Sequence, residues 1–388
     1  MKNALVLSGG GARGAYESGV LRFITNEIGP RLDKPLAFDL VSGTSVGALN
    51  GCWVAGHGTG PTSGRRLSRL WRTLEVGDVW AFDSLDLLRS PVRLWQADPD
   101  IGASFLDARP LHRLVRKLFP FAGMRRALAE RRIDAVVLSA TEVATGRATL
   151  FVEGMDVGEI PYPQVGVRAV TLGAEHALAS AAIPFLFPPI EVDGLRYVDG
   201  SLRQNTPLSP VLRMGADRVL VIGVKRPFRV RSEEALADID ENPNLVFLLG
   251  KVLNALMLDP LEQDLHRLER LNAIFDWGLE TYGEDFVDNF NAVISKHRGK
   301  GYRRVKTALV LPRSDLGEVC AAAYHESSPR LSRATRFLLD LISDREGGEA
   351  DLLSYLFFDR GYTGQIERLG WEDARAKEEE LAAFFSPD

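Results

Sequence analysis

Two short apolar runs, each stopped by glycine and followed at once by a helical pattern, limit what this chain can fold into. The first is "NALVLSGGGARGAYESGVLRFITNEI", from Asn3 to Ile28, and the second is "AFDLVSGTSVGALNGCWVAG", from Ala37 to Gly56. Strand, turn and helix repeated in this order pack as crossovers, which predicts a parallel sheet with helices on its faces. "IDAVVLSATEV", "ATLFVEG" and "ADRVLVIGVK" predict further strands, and no internal repeat interrupts the series. Beyond Lys225 the texture changes to a polar excursion, a long helical pattern from Asn244, one returning strand over 302–314 and a helical remainder. The expected architecture is a three-layer α/β/α sandwich with a mostly parallel central sheet, residues 1–225, and a mainly helical region, 226–388, packed on it.

Composition removes several classes of function. The 388 residues are 45% hydrophobic and 26% charged, ordinary for a soluble globular protein. A formal net charge of −5 argues against a nucleic-acid partner. The basic stretches "GRRLSRLWR" and "MRRALAERR" read at helical spacing as solvated faces. Two cysteines, Cys52 and Cys320, with no CxxC, suit a reducing compartment. The apolar run at the start, Ala4 to Ser8, is shorter than the ~7 residues of a signal-peptide core, and no window reaches the ~18 apolar residues of a membrane span. A cytoplasmic location is expected. Any membrane contact would be peripheral, through "NLVFLLGKVLNALML" or the terminal "LAAFF", and core packing is the stronger reading of both. Neither HExxH nor an acidic calcium loop is present, so no metal and no cofactor is expected.

The second strand runs into Gly43-Thr44-Ser45-Val46-Gly47, a G-x-S-x-G sequence between strand and helix. In that context the serine is displayed on a tight turn at a helix N-terminus, where developing negative charge is favoured. The opening loop, Gly9-Gly10-Gly11-Ala12-Arg13-Gly14, also satisfies G-x-G-x-x-G. A dinucleotide site wants an acid at the end of the next strand, but Glu27 falls in the helix and Asp39 begins the second strand. No Gly-Lys-Ser/Thr follows, which excludes a Walker loop. The alternative is an oxyanion hole built from the amides of residues 9–14, beside Ser45 because neighbouring parallel strands end together. None of the six histidines lies in a triad-like turn. Asp199, in "GLRYVDGSLRQNTP", ends a short strand behind the apolar, proline-punctuated "ALASAAIPFLFPPIEV" and is the better proton acceptor. Asp-Gly is also a favoured turn dipeptide, so its neighbourhood carries the assignment.

These three segments, "GGGARGAYESGVL", "GTSVGALNG" and "VDGSLRQNTP", resemble in order and spacing the patatin-like phospholipases. Further likeness lies in "SFLDARPLHRLVRKLF", "LSATEVATGRATLF" and, near the end, "LLSYLFFDRGYTGQIERLG". The resemblance implies a patatin-like fold and an acyl hydrolase with Ser45 as nucleophile, Asp199 as its only catalytic partner, and oxyanion donors around Gly10, Gly11 and Ala12. It implies a lipid or acyl-ester substrate. Gly200 and Ser201 complete the Asp-Gly-Ser motif; serine stands where the family usually has glycine or alanine. A carboxylate near pKa ~4 is a feeble base, so a partly polar, partly desolvated setting for Asp199 is expected. The alternatives are a nucleotide-binding protein using the Gly9–Gly14 loop and a non-catalytic lipid-binding protein.

Overall fold

The computed structural model describes residues 1–82, 104–154, 165–226, 261–298, 301–326, 331–343 and 351–386. Nine strands make one sheet: β1 (Asn3–Leu7), β2 (Leu40–Thr44), β3 (Ala135–Glu142), β4 (Ala148–Gly154), β5 (Val165–Ala169), β6 (Ile190–Val192), β7 (Leu195–Asp199), β8 (Arg218–Ile222) and β9 (Lys306–Val310). Its order is β5-β4-β3-β2-β1-β8-β9, with β7 on β3 and β6 on β7. From β9 across to β3 the strands are parallel, while β4 and β7 run antiparallel to β3.

Helices follow the strands. They are α1 (Gly14–Phe23), α2 (Val46–His57), α3 (Pro61–Thr73), α4 (Val76–Val79), α5 (Arg109–Leu118), α6 (Phe121–Ala129), α7 (Ala174–Ser180) and α8 (Leu208–Arg213). Then come α9 (Leu261–Tyr282), α10 (Phe286–Arg298), α11 (Leu316–Glu326), α12 (Arg333–Ile342), α13 (Asp351–Leu356), α14 (Arg360–Ala376) and α15 (Glu378–Phe385).

The strand period of two sorts the core into layers. Leu5 and Leu7 of β1 join the cluster containing α1, α2 and α14, and Ala4 and Val6 join the one beneath α8 and α9. All four are fully buried, as a central parallel strand covered on both faces requires. Leu381 and Phe384 of "LAAFF" belong to the first cluster and are turned inward. "NLVFLLGKVLNALML" lies outside the described residues. No described helix is long and apolar enough to cross a membrane.

Register positions the site. Leu7 pairs with Gly43, so the loop after β1 lies beside the turn after β2. Thr44 pairs with Ser139, and Ala140 of β3 pairs with Asp199, which brings the end of β7 to the same edge. Helix α14, near the end of the chain, locks α1 from behind. Gly19 and Gly370 allow the crossing, since a Cβ on Gly370 would lie 2.1 Å from the Tyr16 carbonyl oxygen. Tyr16 donates to Asp373 at 3.0 Å and Arg22 to Glu367 at 2.7 Å.

Candidate active site

Ser45 sits between β2 and α2 with φ 54° and ψ −123°. A positive φ is uncommon for a residue with a side chain and persists only where its surroundings impose it. Here the Ser45 N–H donates to Ser180 Oγ at 2.9 Å, and Ser180 donates onward to the Ser139 carbonyl at 2.6 Å. Gly47 lets α2 approach β1, because a Cβ there would lie 2.5 Å from the Leu7 carbonyl oxygen. Thr44 donates to the Gln204 carbonyl at 2.8 Å, tying the elbow to the segment after the Asp-Gly-Ser turn. Gly43 and Val46 complete the elbow, and Val46 also lines the cleft described below.

The glycine loop lies against the same point. A Cβ on Gly9 would fall 2.3 Å from Ser201 Oγ, 2.4 Å from Asn205 Oδ1 and 3.2 Å from Ser45 Cβ. Three of the loop amides are already engaged: Gly9 with the Asn205 carbonyl, Arg13 with the Gly10 carbonyl, and Gly14 with the Gly11 carbonyl. An engaged amide is unavailable to a ligand, so the loop donors narrow to Gly10, Gly11 and Ala12, which have no partner among the described residues. Gly11 takes φ +55°, and a Cβ on it would meet the Tyr355 carbonyl oxygen at 2.3 Å. Arg13 points inward, buried, donating to Ser354 Oγ at 2.8 Å with its guanidinium 4.6 Å from the Tyr355 ring centre. The segment just before α14 therefore backs the loop.

Asp199 is fully buried, where sequence reasoning expects a partly polar setting. Its Oδ1 accepts the Ser201 N–H at 2.8 Å, its N–H donates to the Ala182 carbonyl, and its carbonyl accepts Thr141 Oγ1 at 3.0 Å. Gly200 lets the turn press on β3, with the Ser139 carbonyl oxygen 2.3 Å from where a Cβ would stand. Burial pushes the Asp199 carboxyl up to about 6, opposed by the hydroxyl of Ser45 and by the N–H and hydroxyl of Ser201. Ser45 thus faces Asp199 closely enough to act on its charge, yet Oδ2 completes no hydrogen bond of standard geometry. Among the described residues, Ser201 Oγ and Asn205 Oδ1 are likewise buried without a hydrogen bond of standard geometry. Such atoms are costly in an ordinary core, and three of them converge here.

Ser45 opens onto a cleft of about 610 Å³, a volume that includes its mouth. Its walls are apolar, drawn from α2, α3, α5, the 181–187 segment and the C-terminal residues Tyr355 and Phe358. Trp71, stacked on Phe358, is fixed by its indole N–H to Asn50 at 2.9 Å, and Asn50 donates to the buried Glu17 at 2.8 Å. Sequence reasoning does not find Trp71, Ser180, Tyr355 or Phe358. Only Trp71 leaves a signal, its helical spacing from Leu67, Leu70 and Leu74. No histidine lines the cleft. His57 ends α2, twelve residues past Ser45 and about 18 Å along the helix. His176 is buried in α7 with Nδ1 accepting the Gly173 N–H at 3.1 Å.

A glycine loop, a serine elbow and an acid meeting at one sheet edge above an apolar cleft define a recognisable class of α/β protein. The family model for patatin-like phospholipases matches residues 5–212, more than half of the chain, and the chain belongs to that family. Among curated proteins, the lysophospholipase NTE1 of Mycosarcoma maydis is 25% identical over 224 residues. That match takes in 58% of this chain but 10% of the relative, so this chain spans a tenth of the relative's length. Among solved structures, VipD from Legionella pneumophila aligns with TM-score 0.36 and 14% identity, over 95% of this chain and 66% of that one. The ExoU–SpcU complex of Pseudomonas aeruginosa aligns with TM-score 0.27 and 16% identity, over 91% and 68%.

Proposed function

We propose that this protein is a serine acyl hydrolase that cleaves fatty-acyl esters of phospholipids, lysophospholipids or related lipids through an acyl-enzyme. The observation that carries this is the placement of Ser45 between Asp199 and the apolar cleft. In the first half-reaction Ser45 Oγ attacks the ester carbonyl carbon while its proton passes to Asp199. The Gly10, Gly11 and Ala12 amides hold the oxyanion, and Asp199 returns the proton to the departing alcohol. In the second, Asp199 takes a proton from water, which attacks the acyl-enzyme. The fatty acid leaves and Ser45 regains its proton. The acyl chain occupies the cleft, whose leucines and aromatic rings suit hydrocarbon far better than a charged pyrophosphate. That weighs against the nucleotide-binding reading, and the intact serine and acid weigh against a merely lipid-binding one. The catalytic unit we assign to residues 1–225, with Tyr355 and Phe358 contributing to its wall. A cytoplasmic setting fits Cys52 and Cys320, both buried and unpaired.

Asp199 must be ionised to accept the proton, and its carboxyl lies at about 6. The pH profile of kcat/KM on a soluble ester is therefore expected to rise through about pH 6 and level off above it. A profile flat from pH 5 to 8, roughly the span of an ordinary histidine's titration, would remove Asp199 from the proton path.

The loop has its own test. Gly11→Ala forces a side chain into a left-handed position and against a carbonyl oxygen, so backbone has to move. Loss of one or more oxyanion donors is worth ~10²–10³-fold in kcat. Steady-state kinetics on a folded Gly11→Ala protein should show that loss in kcat with KM little changed; full activity would place the oxyanion elsewhere.

A further inference from the structure

Two of the helices that wall the cleft carry a charge pattern the hydrolase chemistry leaves unused. Helix α3 gives Leu70 and Trp71 to the cleft, and α5 gives Leu111 and Leu114. Their other faces expose Arg65, Arg66, Arg69 and Arg72 on α3, and Arg113, Arg116 and Lys117 on α5. Neither helix contains an acidic residue, in a chain whose net charge is −5. None of these seven cations has an ion pair among the described residues. The acids nearest in sequence are engaged: Glu75 and Asp78 together form the capping box of α4, and Asp107 pairs with Arg109 while also feeling the charge of Arg113. Burial and then Arg66 hold His57 below its usual pKa; burial and then Arg116 do the same to His112.

Two apolar side chains stand out of the same walls. Leu118 is 38% exposed at the end of α5, next to the cleft-lining Phe119. Phe185 is 51% exposed and sits at φ 68°, between the cleft-lining Ile183 and Phe187. A bulky residue at positive φ is an outlier, and its backbone is pinned there by the Phe105 N–H on the Phe185 carbonyl at 2.9 Å.

We propose that the outer face of α3 and α5, with Leu118 and Phe185, is a docking surface for an anionic phospholipid bilayer, seating the cleft against the lipid from which it takes its substrate. Cations held on helices whose opposite faces are apolar, joined by exposed aromatic and aliphatic side chains, are the combination that binds a negatively charged interface. The proposal rests on the acyl-hydrolase reading for its purpose but not for its test.

The test is flotation of the full chain carrying Ser45→Ala, which separates binding from turnover, with vesicles of phosphatidylcholine alone and of phosphatidylcholine with phosphatidylglycerol. Binding to the anionic vesicles only, released by salt, is expected. The triple variant Arg69→Glu, Arg72→Glu, Arg116→Glu should bind them at least about tenfold more weakly. Built instead on the wild-type serine, it should unfold at the unchanged temperature and hydrolyse a monomeric short-chain ester at the unchanged rate. Equal binding to neutral vesicles, indifference to salt, or undiminished binding by a folded triple variant would each overturn the proposal. So would displacement by soluble glycerol phosphate at matched phosphate concentration, which would assign the cations to a headgroup instead of a surface. Failure of the hydrolase reading would show separately, as wild-type protein that docks but cleaves no ester.

Discussion

Ser45→Ala is expected to abolish ester hydrolysis and fluorophosphonate labelling together, in a protein that folds as before. The expected fall in kcat is about 10⁴-fold or more, because alanine leaves no atom to form the acyl-enzyme and only the binding and oxyanion contributions remain. The fold should survive, because the anchor of the elbow is the Ser45 main chain, bonded to Ser180, and not its hydroxyl. Removing the hydroxyl also takes away one of the groups that ease the charge on Asp199, so the carboxyl should titrate higher in this variant. Circular dichroism and thermal unfolding would confirm the fold. Labelling that persisted on a folded Ser45→Ala protein would move the nucleophile elsewhere.

Asp199→Asn should separate activity from stability in opposite directions. General-base catalysis is worth ~10²–10⁴-fold, and hydrolysis should fall by that much, because an amide cannot take the serine proton. Stability should rise. The folded carboxyl lies at about 6 against 3.8 for an ordinary aspartate, so the folded protein holds a proton that the unfolded chain has released. The stability associated with that proton is fully present below about pH 4, is lost as pH rises through about 6, and stays lost above. A neutral asparagine in the same place, still able to accept the Ser201 N–H, avoids the loss. Near pH 8 the gain is on the order of 3 kcal/mol, a few degrees in Tm for a chain of this size. It should shrink toward nothing near pH 4. Unfolding scans at both pH values check it; a variant less stable at pH 8 would mean that the Asp199 charge is stabilised by more than the groups around it provide. Such a trade of stability for chemistry is common at catalytic positions.

The sequence made some parts of this site legible and not others, for physical reasons. The glycine loop and the serine elbow are local devices: an apolar run, a turn that only small residues permit, then a helix. Asp199 could be singled out because its strand ends in a turn beside an apolar segment. Its full burial could not be seen, since that depends on β7 pairing antiparallel with β3, an excursion out of a parallel series that no period in the sequence announces. The β4 strand reversed direction for the same reason, its alternation being equally compatible with either partner orientation. The backing of the glycine loop was hidden by distance along the chain: Ser354 and Tyr355 meet Arg13 and Gly11 from more than 340 residues away. Arg13 turns its side chain inward to Ser354, a partner that its place in the glycine loop does not announce. Trp71 shows only as one more apolar position on a helix, and nothing local says that the face it occupies borders a cleft.

The proposed mechanism makes Ser45 the nucleophile and Asp199 the group that activates it. It is tested most directly by peptide mass spectrometry of wild-type and Asp199→Asn proteins after brief exposure to a fluorophosphonate. A single adduct is expected on the peptide containing Ser45 in the wild type, with labelling slowed severely in Asp199→Asn. An adduct on any other residue, or equal labelling of Ser45 in both proteins, would contradict it.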